Sequence, residues 1–186
     1  FEQNGKYAPF EGICLVDTFE DQRIEQLGLF TPENMKRVER QRESDLFVVI
    51  GNPPYNVGQL NENDNNKNRK YTNKNKTGID DRVAATYSKA SKATNKNAVS
   101  DMYVKAIRWA SDRIGDEGVV AFVTNNSFID ALAFDGMREF LEKEFSQIYV
   151  FDLGGNIRKR TSKPVYNVFD IQVGVSVNIL VRKRIV

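Results

Sequence analysis

The chain has 186 residues, of which 28% are charged and 40% apolar, with a mean hydropathy of −0.51. It reads as one soluble globular domain with a real core; no run approaches the roughly 20 apolar residues that span a bilayer, and nothing resembles a signal peptide, so no membrane contact and a cytoplasmic location are expected. Histidine is absent and Cys14 is the only cysteine, which excludes histidine-based catalytic triads, histidine metal sites, intrachain disulfides and cysteine zinc clusters, and no metal is expected. The net charge of +2 hides an uneven distribution, with −4 over residues 1–56, +5 over 57–100 and +1 over 101–186.

Taken in chain order, Gly12–Val16 (GICLV) is a short apolar run that predicts a strand. Thr31-Pro32 opens a helix, with Thr31 as N-cap and proline at the first helical position, running to about Glu43. Leu46–Ile50 (LFVVI), between Asp45 and Gly51, predicts a strand buried on both faces. Residues 59–98 form a polar insertion loop; Gln59–Lys76 is almost free of apolar side chains and cannot offset its ordering entropy. That basic island is either a solvated Asn/Lys-rich insertion or a nucleic-acid contact through Lys67, Arg69, Lys70, Lys74 and Lys76. Ser100 or Asp101 caps a helix to about Ile114, with Tyr103, Ile107, Ala110 and Ile114 on one face and Trp109 as a further core aromatic. Val119–Val123 predicts a buried strand, and Phe134–Phe145 a helix with Met137, Phe140, Leu141 and Phe145 inward. Ile148–Leu153 and Val173–Val181 predict two strands joined by a polar loop. Strands alternating with helices imply an α/β sheet with largely parallel pairing, and the last two strands imply a hairpin and so one antiparallel strand.

The chemistry concentrates in Asn52-Pro53-Pro54-Tyr55, directly after the strand and Gly51. Ligands of open α/β sheets bind beyond the carboxyl ends of the strands. The amine of a nucleobase is planar, and its lone pair is delocalised into the ring. Two acceptors, the Asn52 side-chain oxygen and the Pro53 carbonyl, can bond both amine hydrogens and favour a pyramidal nitrogen. The prolines fix φ and remove competing donors. Tyr55 offers a face for stacking, worth roughly 1–3 kcal/mol. The alternative for this tetrapeptide is a stiff strand-ending turn.

At these residues the chain resembles a family. VIGNPPYN looks like motif IV of the S-adenosylmethionine-dependent amino-methyltransferases, and the downstream segments follow in order. SDMYVKAIRWASDRI is similar to motif V, GVVAFVTNNSFID to motif VI, and NVFDIQVGVSVNILVRK to motif VIII and the final strands; upstream, EGICLVDTFE stands where motif III lies. Together with FDLGGNIRK, this wording is most like the methyltransferase region of type ISP and type IIG restriction–modification polypeptides, which methylate adenine at N6 in DNA.

The resemblance implies a Rossmann-like methyltransferase sheet, mostly parallel with one antiparallel strand. Residues 1–186 would be a partial catalytic domain spanning motifs III–VIII, with the first strands missing. It implies S-adenosylmethionine as cofactor, with Asp17 accepting from the amino group of its adenine. Double-stranded DNA with a flipped adenine is the implied partner, alongside the rest of a larger polypeptide. Asn52, Pro53, Pro54 and Tyr55 would hold the base, and Phe169 would pack on its other side, as an extruded base requires. Asp17 as a loop acid and Phe169 as plain core are the alternatives. Backbone contacts would come from Arg158, Lys159, Arg160 and Lys163.

Motif I and the acidic residue of motif II have no counterpart in this sequence, which begins at Phe1 rather than Met. A piece of something longer is therefore expected, one that binds cofactor poorly and is inactive alone. Two other functions remain open: methylation of a protein glutamine amide, which the same tetrapeptide suits, and a non-catalytic nucleic-acid-binding module.

Overall fold

The protein's structure, a computed structural model, describes residues 2–3, 5–7, 10–20, 31–54, 70–156, 169 and 173–184. Tyr55, Lys67, Arg69, Arg158, Lys159, Arg160 and Lys163 lie outside the described residues. The chain divides into two compact units, residues 1–45 and 46–186.

The first unit holds a two-stranded antiparallel ribbon, β1 (Glu2–Gln3) and β2 (Lys6–Tyr7), and helix α1 (Pro32–Glu43). Helix α1 begins as its sequence dictates: the Thr31 hydroxyl accepts from the Asn34 N–H at 3.2 Å, and Pro32 occupies the first turn, where no N–H is needed. The strand expected at Gly12–Val16 is not formed. Instead the Asn34 side chain serves Leu15 as a substitute neighbour, its Oδ1 accepting from the Leu15 N–H at 2.7 Å and its Nδ2 donating to the Leu15 carbonyl at 2.8 Å. A side-chain amide supplies one donor and one acceptor, enough to satisfy one residue but not to propagate a ladder.

The second unit is built on a mixed four-stranded sheet: β3 (Val48–Gly51), β4 (Gly118–Asn125), β5 (Gln147–Gly154) and β6 (Val175–Arg182), in the order β3-β4-β6-β5. β3 runs parallel to β4, with Gly51 opposite Phe122. β6 lies antiparallel between β4 and β5, with Asn125 and Gly154 both opposite Val175. The antiparallel strand is thus present. The pairing is not largely parallel, however: wedging β6 between β4 and β5 gives one parallel and two antiparallel ladders.

β4 alternates buried and half-buried residues, and its buried face continues across β6. That face includes a polar run. Asn178 Nδ2 donates to Thr124 Oγ1 at 2.9 Å, and Ser176 Oγ donates to Asn178 Oδ1 at 3.1 Å, all three side chains being buried. A buried amide matched to Thr124 on the adjacent strand β4 fixes the register of β6, since a slip by one residue would orphan it. β3 departs from expectation: it is not buried on both faces, and Ile50 is 77% exposed. It has one strand neighbour among the described residues. β5 is exposed along nearly its whole length.

Helix α3 (Met102–Arg113) buries Tyr103, Ile107 and Ala110, with Ile114 following, on the expected face; Trp109 is only half-buried. Asp101 stands at its N-cap without a side-chain capping bond. Helix α4 (Asp135–Glu144) buries Met137 and Leu141 and is followed by buried Phe145, while Phe140 is half-buried with its edge toward Tyr87, the ring centroids 6.1 Å apart.

The expected insertion loop over 59–98 is corrected within its described part. Residues 79–90 are helical: α2 (Ile79–Val83) runs on into a widened π-turn at Ala84–Ser88, packed between α3 and α4. Ile79, Val83 and Tyr87 are buried. Charge pairs hold it there. Lys105, itself buried, lies 2.9 Å from Asp80, and the same carboxylate accepts from the Tyr71 N–H at 2.6 Å. Arg108, 1% exposed, pairs with Glu144 at 2.9 Å and Asp112 at 2.8 Å, and Arg82 reaches Asp112 bidentately. Burial pushes the Asp112 carboxyl up, but the Arg82 hydrogen bond and the Arg108 and Arg82 charges outweigh it and hold the group below its ordinary value. Gly136 is where α4 meets this segment: a Cβ there would lie 2.2 Å from the Tyr87 carbonyl.

Candidate functional site

Among the described residues, the ends of β3, β4 and β5 and the start of β6 lie at one edge of the sheet. β3 ends there at Gly51 and the chain leaves it through Asn52-Pro53-Pro54; β4 ends there at Asn125, β5 at Gly154, and β6 begins there at Val175. This is the carboxyl end of the three strands that point the same way, where α/β sheets bind ligands. Asn52 and Pro54 are exposed and Pro53 half-buried, so the Asn52 amide is not consumed as core. Phe169 is 46% exposed and precedes Gly174 by five residues, within about 17 Å of it even at full extension. That exposure argues against the plain-core alternative.

Asp17 belongs to the first unit. Its side chain is half-buried, and its Oδ1 accepts from the Phe19 N–H at 3.1 Å while its carbonyl accepts from Glu20 N–H at 3.1 Å. The acid therefore shapes its own turn, as aspartates commonly do. Of the other expected site residues, Tyr55 and the Arg158–Lys163 cluster fall outside the described residues.

The structure adds residues that sequence reasoning passed over. After β4 the chain enters a 3₁₀ turn at Asn126–Ile129, capped by Asn125, whose Oδ1 accepts from Ser127 N–H at 2.8 Å. Arg138 of α4 donates to the carbonyls of Phe128 and Ala131 at 2.8 and 2.9 Å, and buried Phe128 packs beside Tyr103, ring centroids 6.4 Å apart. Asn126 itself donates its N–H to the Gly174 carbonyl at 3.0 Å and its Nδ2 to Asp152 at 2.8 Å. The available signal was the pair of asparagines directly after a buried strand (VTNNS), where turn chemistry and side-chain capping concentrate. The turn after β4 is thus densely bonded, while Asn52 and Pro54 at the end of the neighbouring strand are exposed.

Comparison with known proteins agrees with this layout. Residues 17–157 match the family described as "Eco57I restriction-modification methylase". Among solved structures, the chain is similar to the DrdV–DNA complex determined by cryo-EM, with 46% identity, TM-score 0.81, and 96% of this chain covering 17% of that one. It is also similar to the ATP-dependent type ISP restriction–modification enzyme LlaBIII bound to DNA, with 43% identity, TM-score 0.77, and 95% of this chain covering 12% of that one. A nuclease-deletion mutant of the type ISP enzyme LlaGI, in complex with a DNA substrate mimic, matches with 40% identity, TM-score 0.83, and 96% of this chain covering 17% of that one. No curated protein sequence matches the chain. The chain spans less than a fifth of the length of these structural relatives. Family match and structural similarity together place it: the chain belongs to the Eco57I restriction-modification methylase family.

Proposed function

We propose that this chain is the target-base part of an S-adenosylmethionine-dependent N6-adenine DNA methyltransferase, on a Rossmann-like sheet within a larger restriction–modification polypeptide. The observation that carries the reading is the exposed Asn52-Pro53-Pro54 segment leaving β3 at the carboxyl edge, with half-exposed Phe169 on the segment that leads into β6 at that same edge. The three relatives bound to DNA or a DNA mimic favour a nucleobase over a glutamine amide.

In this reading an adenine leaves the duplex and is held between Tyr55 and Phe169, which replace the stacking it gives up. The Asn52 side-chain oxygen and the Pro53 carbonyl accept the two hydrogens of the exocyclic amine. That arrangement turns the nitrogen lone pair outward, away from the ring, and the fixed proline backbone keeps both acceptors in place without reorganisation. When bound, the cofactor supplies an electrophilic methyl group. The methylated ammonium is acidic enough to lose its proton to water, so no general base is assigned. A carboxylate acceptor suits the amino group of the cofactor's adenine, and Asp17 is the residue assigned to it; Asp17 Oδ1 already caps its own turn, which fixes the orientation of the carboxylate. Arg158, Lys159, Arg160 and Lys163, following the Gly154-Gly155 turn, are assigned to phosphate contacts.

The test is Asn52→Ala in the full-length polypeptide, assayed on adenine-containing duplex DNA and on a glutamine-containing peptide. Methylation of the duplex should fall by about 10²-fold or more, as expected when a preorganised hydrogen-bonding partner of the transition state is lost. Unchanged DNA methylation, or methyl transfer to the peptide alone, would overturn the reading.

A further inference from the structure

We propose that Asn126 is a positioning residue that fixes the spacing between the Asn52–Pro53 rim and the Phe169-bearing segment; the inference rests on the base-pocket reading above. Asn126 is 6% exposed and sits one residue beyond β4. Its backbone N–H reaches the Gly174 carbonyl at 3.0 Å, and its Nδ2 donates to Asp152 Oδ1 at 2.8 Å. The same carboxylate oxygen accepts the Gly154 N–H at 2.9 Å. One buried residue thereby ties the end of β4 to the end of β5 through its side chain and to the residue before β6 through its backbone.

Gly174 completes the arrangement. A Cβ there would lie 2.4 Å from Asn126 Nδ2 and 2.5 Å from Oδ1, so the amide fills the space that a side chain at Gly174 would need. The sheet itself does not require the amide, because Asn125 and Gly154 already register with Val175 through backbone pairing. A buried polar link of this kind adds little net stability over a well-packed apolar one, and what it does add is direction. Asn126 itself leaves β4, the strand beside β3 and its rim, and its partners are the end of β5 and Gly174, on the segment that leads back to Phe169. Displacing a reacting group by 1 Å costs about 10²-fold in rate, so a link that holds these ends has a catalytic consequence without touching the base.

The experiment uses the full-length polypeptide and a duplex with 2-aminopurine at the adenine it methylates, for fluorescence of the extruded base, alongside kcat and KM on unlabelled duplex. Asn126→Ala and Asp152→Ala should each lower kcat by about tenfold to a hundredfold, leave KM for DNA unchanged and weaken the fluorescence rise. The double variant should be no worse than the poorer single. Asp152→Asn, which keeps an oxygen to accept both hydrogen bonds, should retain near-parental kcat and fluorescence. Unchanged kcat and fluorescence in Asn126→Ala would overturn the proposal, as would an Asp152→Asn variant as impaired as Asp152→Ala. If Asn126→Ala does not fold, the contrast between the two Asp152 variants decides the matter. Asn52→Ala serves as the control: if it too leaves methylation intact, the base-pocket reading fails, whereas if it abolishes methylation while Asn126→Ala is silent, only this proposal fails.

Discussion

The segment packed on α3 and the two outer strands of the sheet invert the usual distribution of residue types. Lys105 is buried against Asp80 and Arg108 against Asp112 and Glu144, whereas Ile50 on β3 and Phe151 on β5 are largely exposed. Burial here follows pairing rather than hydropathy. A charge can be enclosed when opposite charges and hydrogen bonds enclose it too, and the side chains of an outer strand, which has a strand neighbour on one flank only among the described residues, stay open. The difference separates a locked scaffold from an edge left available.

The scaffold half of this comparison breaks most severely at Arg108. Arg108→Ala removes a buried guanidinium and its stem, leaving Asp112 with Arg82 and Glu144 with Arg182 at 3.8 Å, and should destabilise the fold by about 2–3 kcal/mol in chemical denaturation; a loss under about 1 kcal/mol, the range for exposed pairs, would mean that the pairs are effectively solvated. Gly136→Ala, which drives a methyl group into the Tyr87 carbonyl, should cost about 1–3 kcal/mol by the same measurement. Acid titration probes the staple more gently. Asp112 is held below its ordinary value of 3.8, so its contribution is present above that value and is lost as pH falls through the lower folded one. The melting temperature should therefore drop below about pH 4, and less steeply in Arg82→Ala, which lacks the hydrogen bond that most depresses the carboxyl. The open edge gives the smallest structural effect: Asn52→Ala should shift stability within about 0.5 kcal/mol, even as methylation collapses.

How much of this was legible in the sequence depends on how local each cause is. The start of α1 follows from Thr31 and Pro32 alone, and the buried face of α3 from spacing within one helix. The helical stretch 79–90 was not legible, because Asp80 and Arg82 look like solvated charges until Lys105 and Asp112, remote in sequence, are brought against them. The run at Gly12–Val16 has strand composition, but composition cannot supply a partner strand, and a single asparagine stands in for one. The exposed rim was readable because proline and strand-end position are local signals. Asn126 was not, since its meaning lies in Asp152 on β5 and Gly174 just before β6, both remote in sequence.

The placement of β6 has a consequence for how the chain is made. β4 and β5 share no neighbour until residues 175–182 have left the ribosome, because the strand that joins them is synthesised after both. Until then the nascent chain presents two unpaired strand borders, the kind of surface on which chains aggregate. Completion of this sheet is therefore a late event, and its rate should be governed by the search for a slot already flanked on both sides.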